Sequence, residues 1–411
     1  MREDVGLDSR ITFNAKPVLL PSMKALILGI DGYIGWPLAL RYLSLGYDVA
    51  GADNFFTRRR VKAVDSDSVF PIAPISRRIH EAETVFEKKI SFYRGDVSGQ
   101  KFIYDLIKDT KPDVIVHLAE QRSAPYSMIG LKQASETMTK NVISTLNLIY
   151  AVKDLAPKAH ILKLGTMGEY GTPNIDIPEG FFEIEYKGRK DTLPFPKNAG
   201  SWYHWTKVHD SNNLMFANRV WKIGITDIMQ GVVYGTRTKE ISGNALRTRF
   251  DIDEVWGTAL NRFCAQATIG IPITPYGKGG QTRGFLSLED SITCLTLATE
   301  HPPESGEYRV FNQFDQHYSV NELAADVKDV YEKKYGKEAV IDHVPNPRVE
   351  KEEHYYNPVS LKLRALGYRP SGELKKDLGM ILQDLQPVKE TIVSLKSVIT
   401  PRTFWRKSSG I

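Results

Sequence analysis

Tyr203 and Lys207 stand at positions i and i+4 of the segment Tyr-His-Trp-Thr-Lys. On a helix, two side chains at this spacing lie on one face. An ammonium group beside a phenol lowers the phenol's pKa, so the tyrosine can take a proton from a substrate hydroxyl as a hydride leaves. Thr166 ends a predicted strand upstream, where its hydroxyl can share that proton. These residues predict proton transfer coupled to hydride transfer.

Gly29, Gly32 and Gly35 form a G-x-x-G-x-x-G motif between a predicted buried strand and a predicted helix. Glycines at such a junction allow a tight turn and bring the backbone close to a pyrophosphate at the positive end of the helix. A simple turn is the alternative interpretation. Together with the strand-end hydroxyl and the Tyr–Lys pair, the motif predicts the site of a short-chain dehydrogenase/reductase.

The cofactor is predicted to be NAD. Asp53 ends the second predicted strand, where a carboxylate can accept hydrogen bonds from both adenosine ribose hydroxyls and would repel a 2′-phosphate. Arg58, Arg59 and Arg60 could instead favour NADP, but they lie further into a loop. Asp96 ends the third strand and could meet the adenine amino group. The other expected cofactor contacts are Tyr33, Ile34, Asn54, Arg58, Val97, Leu118, Asn141 and Val233.

Short apolar runs alternate with helical patterns from Lys24 onward, which predicts an α/β fold with a Rossmann-type, doubly wound parallel sheet. The predicted strands are 24–29, 47–53, 90–96, 113–118, 160–165 and 225–233. We expect one helix in the segment 54–89, a strand with a Gly-rich turn at 273–283, and helices at 258–269, 320–335 and 375–396. Four regions are predicted: a leader (1–22) that is non-native or disordered, an NAD-binding domain (23–235), a smaller UDP-sugar-binding α/β lobe (236–400) that exchanges some elements with the first domain, and a loose tail (401–411).

Composition excludes several classes of protein. The formal charge of +5 is too small to indicate a nucleic-acid partner. The two cysteines have no metal-ligand spacing, so no metal is expected, and as reduced thiols they fit a cytoplasmic location. No apolar run reaches the length of a membrane span, of about 18 residues.

Several long motifs resemble the UDP-sulfoquinovose synthase family, a branch of the extended short-chain dehydrogenases/reductases that is similar to nucleotide-sugar epimerases and dehydratases. The resemblance covers the chain from about residue 23 to about residue 370. It is carried by segments 120–128, 163–177, 230–235, 257–263, 276–284, 344–349 and 353–357.

The resemblance implies an enzyme that converts UDP-glucose and sulfite to UDP-sulfoquinovose. In that family NAD oxidises C4 of the sugar, the C5 proton and the 6-hydroxyl are lost, sulfite adds at C6, and C4 is reduced again. In the related 4,6-dehydratases an Asp and a Glu follow the threonine, whereas here Met167 takes the Asp position and Gly168 precedes Glu169. A carboxylate at that position would repel sulfite. Glu169 and His204 remain as candidates for proton transfer at C5 and C6, and structural hydrogen bonding is the alternative for each.

The substrate residues are also expected from the resemblance. Arg122 follows the fourth strand and is assigned to substrate or sulfite, with a structural ion pair as the alternative. Arg283 and Arg348 are candidates for the UDP diphosphate, because a guanidinium fork suits that geometry, or else they are surface charges. The other expected substrate contacts are Thr166, Met167, Gln230, Thr258, Lys278 and Gln281.

Two other functions are weighed against the synthase. A UDP-glucose 4,6-dehydratase or 4-epimerase is the alternative enzyme, and Met167 in place of an acid argues against it. A redox-sensing binding module would commonly lack the tyrosine or the lysine, and both are present here. A homodimer is expected by analogy with the superfamily, through two helices that flank the sheet.

Overall fold

The computed structural model describes residues 22–406, so the predicted leader and the last five residues of the predicted tail lie outside the described part. The strands are β1 (Lys24–Leu28), β2 (Asp48–Asp53), β3 (Ser91–Arg94), β4 (Val114–His117), β5 (His160–Thr166), β6 (Phe181–Tyr186), β7 (Arg189–Pro194), β8 (Ile225–Gln230), β9 (Val232–Tyr234), β10 (Thr282–Ser287), β11 (Tyr308–Gln313) and β12 (Gln316–Ser319).

The helices are α1 (Gly35–Ser44), α2 (Phe56–Lys62), α3 (Ile75–Phe86), α4 (Gln100–Thr110), α5 (Ala124–Ser127), α6 (Leu131–Met138), α7 (Ser144–Leu155), α8 (Trp202–Trp221), α9 (Ala259–Ile269), α10 (Leu288–Glu300), α11 (Val320–Tyr335), α12 (Lys362–Ala365), α13 (Leu374–Leu385), α14 (Lys389–Ser394) and α15 (Lys396–Ile399). A π-helical turn, Thr139–Ile143, joins α6 to α7, and short 3₁₀ turns lie at Met167–Glu169, Asn244–Leu246 and Gln386–Val388.

Seven parallel strands form the main sheet in the order β11-β8-β5-β4-β1-β2-β3. The order runs outward from β1 in both directions, which is the doubly wound arrangement, and it confirms the predicted Rossmann-type α/β fold. On one face Trp36 and Leu40 of α1 pack in a core that also contains Leu295 of α10. On the other face Leu106 of α4 and Leu148 of α7 belong to a second core. The strands are therefore apolar on both faces, as a covered parallel sheet requires.

A small sheet in the order β12-β10-β9 belongs to the second half of the molecule. Its core contains Phe263 of α9, Leu323 of α11 and Leu378 of α13. The two halves exchange elements: β11, from the C-terminal part of the chain, completes the main sheet beside β8, while β9 leaves the main sheet to pair with β10.

Gly231 divides the predicted strand 225–233 into β8 and β9. A Cβ atom on this residue would lie 2.6 Å from the carbonyl oxygen of Gly284, so the chain can cross between the sheets here only as glycine. The predicted helix 375–396 is also divided, into α13 and α14, because the Gln386–Val388 turn contains a proline that cannot continue the helical hydrogen bonding.

Two further segments differ from the predictions. The segment 54–89 contains two helices, α2 and α3, where one was expected; Pro74 precedes α3 and separates them. In the predicted strand 273–283 only the last residues belong to a strand, β10, because Gly277 and Gly279 adopt positive φ angles of 60° and 75°. The remainder contacts segment 341–344 through isolated bridges.

The hairpin of β6 and β7 has no counterpart in the sequence predictions. Its strands pair in antiparallel register from Phe181 opposite Pro194 to Tyr186 opposite Arg189. Every residue of β7 is exposed, so its sequence lacks the alternation of apolar and polar residues that indicates a half-buried strand. Within residues 22–406, no helix has the length and apolar content to cross a membrane.

Candidate active site

A cavity of about 880 Å³ opens at the carboxyl ends of the strands of the main sheet, between that sheet and the small one. This is the position at which doubly wound folds bind their ligands. One end is lined by the glycine turn after β1 and the ends of β2 and β4, and the other by residues of α9, β10 and segment 348–351. A cavity of this size and shape can hold two nucleotides end to end.

The glycine turn is built for the close approach of a ligand. Gly29 has φ +86°, and a Cβ on it would lie 2.8 Å from the carbonyl carbon of Leu118. A Cβ on Gly35 would lie 2.3 Å from the carbonyl oxygen of Gly29. The turn can therefore be made only with glycine at these positions, and residues 32–35, which lead into the N-terminus of α1, line the cavity, where the positive end of a helix favours a pyrophosphate.

Asp53 lies at the carboxyl end of β2, as predicted for a residue that holds the adenosine ribose. It accepts hydrogen bonds from the backbone N–H groups of Asp31 (2.9 Å) and Phe55 (2.6 Å). Burial, followed by the nearby charge of Asp31, raises the pKa of Asp53 to about 6. The cost of burying this carboxylate falls when ribose hydroxyls donate to it, which fits a dinucleotide with an unmodified ribose.

The three arginines that could have favoured NADP are all engaged with the protein. Arg58 donates two hydrogen bonds to Asp31, at 2.6 and 2.7 Å, and others to the carbonyl oxygens of residues 72 and 73. Arg59 bonds the carbonyl of Asn54, and Arg60 pairs with Glu136. Arg58 still lines the cavity, but its guanidinium is bound to a carboxylate and not directed at a 2′-phosphate.

Most of the remaining predicted cofactor residues line the same end of the cavity: Tyr33, Ile34, Asn54, Asp96, Val97, Leu118 and Val233. Asp96 also forms an ion pair of 2.6 Å with Lys140. Asn141 is an exception. Its side chain is fully buried behind the cavity, where it donates to the carbonyl of Gln121 and the hydroxyl of Thr206. The prediction that Asn141 contacts the cofactor is wrong, because a π-helical turn directs its amide into the protein.

Tyr203 and Lys207 lie in the first turns of α8, which begins at the N-cap Ser201. Both line the cavity, and the Lys207 ammonium lies 6.0 Å from the centre of the Tyr203 ring. Lys207 donates to the carbonyl oxygen of Leu164 (2.6 Å) and forms an ion pair of 2.5 Å with Glu120. Burial raises the pKa of Tyr203 even though the Lys207 charge opposes it. The charge of Lys207 therefore acts on the Tyr203 pKa in the predicted direction, and burial opposes it.

Thr166 and Met167 stand at the end of β5, on the cavity wall. The Thr166 hydroxyl accepts a hydrogen bond from the N–H of Gly168 (3.1 Å), which orients it. Met167 is 5 % exposed and presents an apolar side chain where the related dehydratases have an acid. This part of the wall therefore offers a hydroxyl but no carboxylate.

Glu169 does not reach the cavity. It is fully buried beneath the turn, with ion pairs to Lys163 (3.0 Å) and Lys197 (2.6 Å) and a hydrogen bond from Ser211 (2.9 Å). Burial would raise its pKa, but the two ammonium groups outweigh that effect and lower it to about 2. Glu169 is thus held as a structural anion, which was the alternative for this residue, and its assignment to proton transfer at C5 or C6 stays a prediction.

His204 does line the cavity, next to Tyr203. Its Nδ1 is 2.9 Å from the hydroxyl of Ser201, and its ring lies so close to Gly168 that a Cβ there would come within 2.5 Å of Nε2. Burial, with smaller contributions from Arg348 and Arg283, lowers its pKa to about 3. The imidazole is therefore neutral at physiological pH.

Arg122 was assigned to substrate or sulfite, with a structural ion pair as the alternative. In the structure it lines the cavity and also forms an ion pair. It donates to Asp251 (2.6 Å) and to the carbonyl oxygen of Trp256 (3.0 Å). Its guanidinium lies 5.6 Å from the centre of the Trp256 ring. Both roles are compatible, because the side chain is 32 % exposed.

Arg283 and Arg348 line the opposite end of the cavity. Arg283 donates to Glu350 (2.7 Å) and is paired with His354. The Nε atom of Arg348 is buried without a hydrogen-bond partner among the described residues, as are the Thr258 hydroxyl and the Oε1 atom of Gln281. Unpaired polar atoms on a cavity wall are the groups that a polar ligand would satisfy.

Gln230 lines the cavity between the two ends and donates to Ser291 (2.8 Å) and Gln313 (2.9 Å). Lys278 is exposed and lies outside the cavity, with its backbone N–H bonded to Glu352. The Gly-rich turn directs Lys278 to solvent, and its assignment as a substrate contact stays a prediction.

Several residues on the cavity wall were not predicted: Glu120, Arg262, Tyr276, Trp405 and Arg406. Glu120 could have been found, since it directly follows β4 at the ligand-binding edge. Arg262 bonds the hydroxyl of Tyr276 (2.5 Å). No pattern in the sequence indicates Trp405, because this residue is brought to the cavity only when the chain folds.

Comparison with known proteins agrees with this geometry. The model of the NAD dependent epimerase/dehydratase family matches residues 25–312. The chain resembles the crystal structure of UDP-glucuronic acid 4-epimerase from Bacillus cereus in complex with UDP-glucuronic acid and NAD, with a TM-score of 0.65 at 22% identity over 88% of this chain and 100% of that one. It also resembles UDP-glucose 4-epimerase from Thermotoga maritima with UDP-glucose, with a TM-score of 0.66 at 19% identity over 89% of this chain and 99% of that one.

The chain belongs to the NAD-dependent epimerase/dehydratase family, and its cofactor is NAD. Within that family it is 52% identical to UDP-sulfoquinovose synthase of Sulfolobus acidocaldarius, over 94% of this chain and 98% of the relative. It is 46% identical to the chloroplastic UDP-sulfoquinovose synthase of Spinacia oleracea, over 93% of this chain and 79% of the relative. The resemblance drawn from the motifs is confirmed.

Proposed function

We propose that this protein is an enzyme that converts UDP-glucose and sulfite to UDP-sulfoquinovose. The observation that carries the proposal is the wall at the end of β5. There Thr166 adjoins the redox pair Tyr203–Lys207, Met167 is apolar, and Glu169 is withdrawn from the cavity. Such a site can oxidise a sugar hydroxyl without placing a carboxylate where an anionic nucleophile must arrive.

Tyr203 and Thr166 take the proton of the C4 hydroxyl. NAD supplies the chemistry of accepting the hydride from C4 and later returning it. The charge of Lys207 favours the ionised form of Tyr203, and the glycine turn with Asp53 orients the cofactor's phosphates and ribose. We assign no step to Glu169.

His204 moves the proton at the next stage. The ketone at C4 makes the C5–H bond acidic, and the neutral imidazole removes that proton and passes it to the departing 6-hydroxyl. The C5–H and C6–O bonds break, a double bond forms between C5 and C6, and water leaves. Bisulfite then forms the C–S bond at C6, and its proton goes to C5.

Three predicted arginines, Arg122, Arg283 and Arg348, line the cavity. Arg283 and Arg348 act on His204 electrostatically, so they lie near it, and they are assigned to the diphosphate of UDP. Arg122 is assigned to sugar or sulfite. Their combined positive charge favours the approach of an anion.

The direct test is to incubate the protein with UDP-glucose with and without sulfite and to identify products by mass spectrometry. A UDP-sugar sulfonate that forms only with sulfite is expected, and Tyr203→Phe should abolish it while sparing bound NAD. UDP-4-keto-6-deoxyglucose or UDP-galactose as the product would contradict the proposal.

The assembly is proposed to be a homodimer. Three large apolar side chains are exposed on one side of the main sheet: Tyr150 of α7 (42 %), and Phe216 (52 %) and Val220 (49 %) of α8. Exposed apolar groups on two neighbouring helices fit a second copy of the same face. The buried, unpaired thiols of Cys264 and Cys294 support a reducing, cytoplasmic location.

A further inference from the structure

Asp31 lies inside the glycine turn, and its carboxylate is bound by two arginines. Arg58 of α2 donates to both oxygens, from Nε at 2.6 Å and from Nη2 at 2.7 Å. Arg78 of α3 donates to Oδ1 at 2.6 Å. The Asp31 side chain is 4 % exposed, and that of Arg78 is fully buried. Asp31 also lines the cavity, yet the proposed mechanism gives it no role.

This cluster of Asp31, Arg58 and Arg78 adjoins the residue that is assigned to the adenosine ribose. The backbone N–H of Asp31 donates to the Oδ2 atom of Asp53 at 2.9 Å, so the two carboxylates are neighbours. Asp31, Asp53 and Arg58 all line the cavity, and the Arg58 side chain is 25 % exposed. Two carboxylates and one guanidinium therefore meet at the edge of the cavity where the ribose is expected.

Arg58 is the cation at this edge that could recognise a 2′-phosphate, since a guanidinium binds a phosphate through two parallel N–H groups. Its Nε and Nη2 atoms, which form such a pair, both donate to Asp31. The other acceptors of Arg58 are the carbonyl oxygens of residues 72 (3.3 Å) and 73 (3.1 Å), which are neutral and bind more weakly than a phosphate. Asp31 is therefore the group that keeps Arg58 from binding an anion in the cavity.

The charges of these side chains balance without a phosphate. Asp31 and Asp53 contribute two negative charges, and Arg58 and Arg78 contribute two positive ones. Arg78 is fixed in place, because its guanidinium also lies 4.0 Å from the centre of the Trp36 ring. A 2′-phosphate would add a charge of about −2 beside two carboxylates whose cationic partners are already engaged. An unmodified ribose adds no charge and can donate its hydroxyls to Asp53.

We propose that Asp31 determines the preference of this enzyme for NAD over NADP, both by binding Arg58 and by placing a second carboxylate beside the ribose. The inference concerns the choice of dinucleotide and is independent of the sugar chemistry. It goes beyond the role of Asp53, because one carboxylate followed by the arginines at 58–60 leaves that choice open. Asp31 is a specificity-determining residue that acts on the nearest of those arginines.

The first test uses Asp31→Asn, which keeps the size of the side chain and removes its charge. Wild type and variant are produced in the same host, and the dinucleotides released from each purified protein are quantified by mass spectrometry, with oxidised and reduced forms added together. The variant should raise the bound ratio of NADP to NAD about 10-fold or more, because a repelling charge is lost and a guanidinium is released. A ratio equal to that of wild type would overturn the inference.

The second test adds Arg58→Ala to Asp31→Asn. Most of the gain in NADP should then disappear, because the arginine that would bind the phosphate is gone. The matched control adds Arg59→Ala to Asp31→Asn instead. Arg59 is the next residue along α2 and bonds the carbonyl oxygen of Asn54, so its loss should leave the gain unchanged. Equal ratios of NADP to NAD in the two double variants would overturn the role given to Arg58.

Asp31→Asn also removes the anionic partner of Arg78, and a buried charge left alone destabilises a protein. Combining Asp31→Asn with Arg78→Met removes that charge as well, keeps Arg58 released, and should give the same gain in NADP. Glu240→Gln breaks a buried ion pair with Arg41 and should keep the wild-type ratio. If the variant lacking both Asp31 and Arg78 kept the wild-type ratio, or if it and Asp31→Asn bound no dinucleotide, the cluster would serve only to build the turn and the inference would be overturned.

Discussion

At the scale of single residues, Met167 is the residue proposed to determine which nucleophile the site accepts. It is 5 % exposed on the cavity wall, directly after Thr166. A carboxylate in its place would repel an anion a few ångströms away by about 1–4 kcal/mol, depending on how much water remains. The absence of charge at this position is therefore expected to favour the approach of sulfite.

Met167→Asp should raise the KM for sulfite about 10-fold or more and lower the yield of sulfonate, because the new carboxylate opposes sulfite. Steady-state rates at varied sulfite concentration measure this effect. Met167→Leu, which keeps the apolar character, should stay close to wild type. Equal sulfite KM values in the aspartate and leucine variants would contradict this role.

His160, on β5 and remote from the cavity wall, couples stability to pH. Burial lowers its pKa to about 3, while an unfolded histidine titrates near about 6.5. The unfolded chain therefore binds more protons between these values, so this residue's stabilising effect is complete above the unfolded pKa and declines as the pH falls.

His160→Gln should flatten the dependence of the unfolding free energy on pH by about 1.4 kcal/mol per pH unit in that window. Urea unfolding at several pH values between these limits provides the measurement. Thr226→Val is the control: it removes the hydroxyl bonded to His160 at 2.8 Å but keeps the imidazole, so it should lower stability without flattening the slope. An unchanged slope in His160→Gln would show that the histidine is already charged in the folded state.

At the scale of elements, helices α7 and α8 carry the proposed dimer. Phe216→Asp should shift the protein toward the monomer, because it places a charge at the centre of an apolar contact, where single side chains contribute most to affinity. Size-exclusion chromatography with light scattering at several concentrations measures the shift. Tyr186→Asp, on the exposed hairpin (68 % exposed), is the control. A dimer that survives Phe216→Asp unchanged would place the interface elsewhere.

The C-terminal segment 401–406 closes one end of the substrate cavity, although a loose tail was predicted there. Trp405 donates its backbone N–H to the carbonyl of Pro347 (2.9 Å), and its ring lies 5.9 Å from the Arg348 guanidinium. Thr403 bonds Glu254 (3.2 Å). The segment thereby helps to hold an arginine assigned to the diphosphate.

Trp405→Ala should raise the KM for UDP-glucose by up to about 10-fold, the effect of losing a partly buried cation–π contact, and change kcat much less. Initial rates at saturating sulfite measure both constants. Tyr186→Ala removes an exposed aromatic ring elsewhere and should leave the KM unchanged. If Trp405→Ala behaved in the same way, the segment would have no part in binding substrate.

At the scale of the whole molecule, predictions from sequence succeeded where the chemistry is local. The glycine turn needs only a strand, a helix and Gly29, and the Tyr203–Lys207 pair needs only one helical turn. The placements that differ from expectation depend on side-chain direction. Glu169 turns away from the cavity because buried lysines from other parts of the chain attract it, and neither a motif nor a spacing encodes those distant partners.

The class of the fold and an exchange of some elements between its two halves were predictable, but not which elements take part. The alternation of strands and helices predicts a doubly wound sheet. However, β11 forms an edge of the main sheet although the chain before it runs through the second half of the molecule. Nothing in the local pattern of residues 308–313 indicates whether this strand joins the main sheet or the small sheet. The exchange joins the two halves and places a cavity lined by both between them.

The central claim is that NAD oxidises C4 of UDP-glucose within the site and returns the same hydride at the end. UDP-glucose carrying deuterium at C4 tests it most directly, with the UDP-sulfoquinovose formed in the presence of sulfite analysed by mass spectrometry and NMR. The account predicts that the product retains the deuterium at C4. A product with hydrogen from solvent at C4 would contradict it.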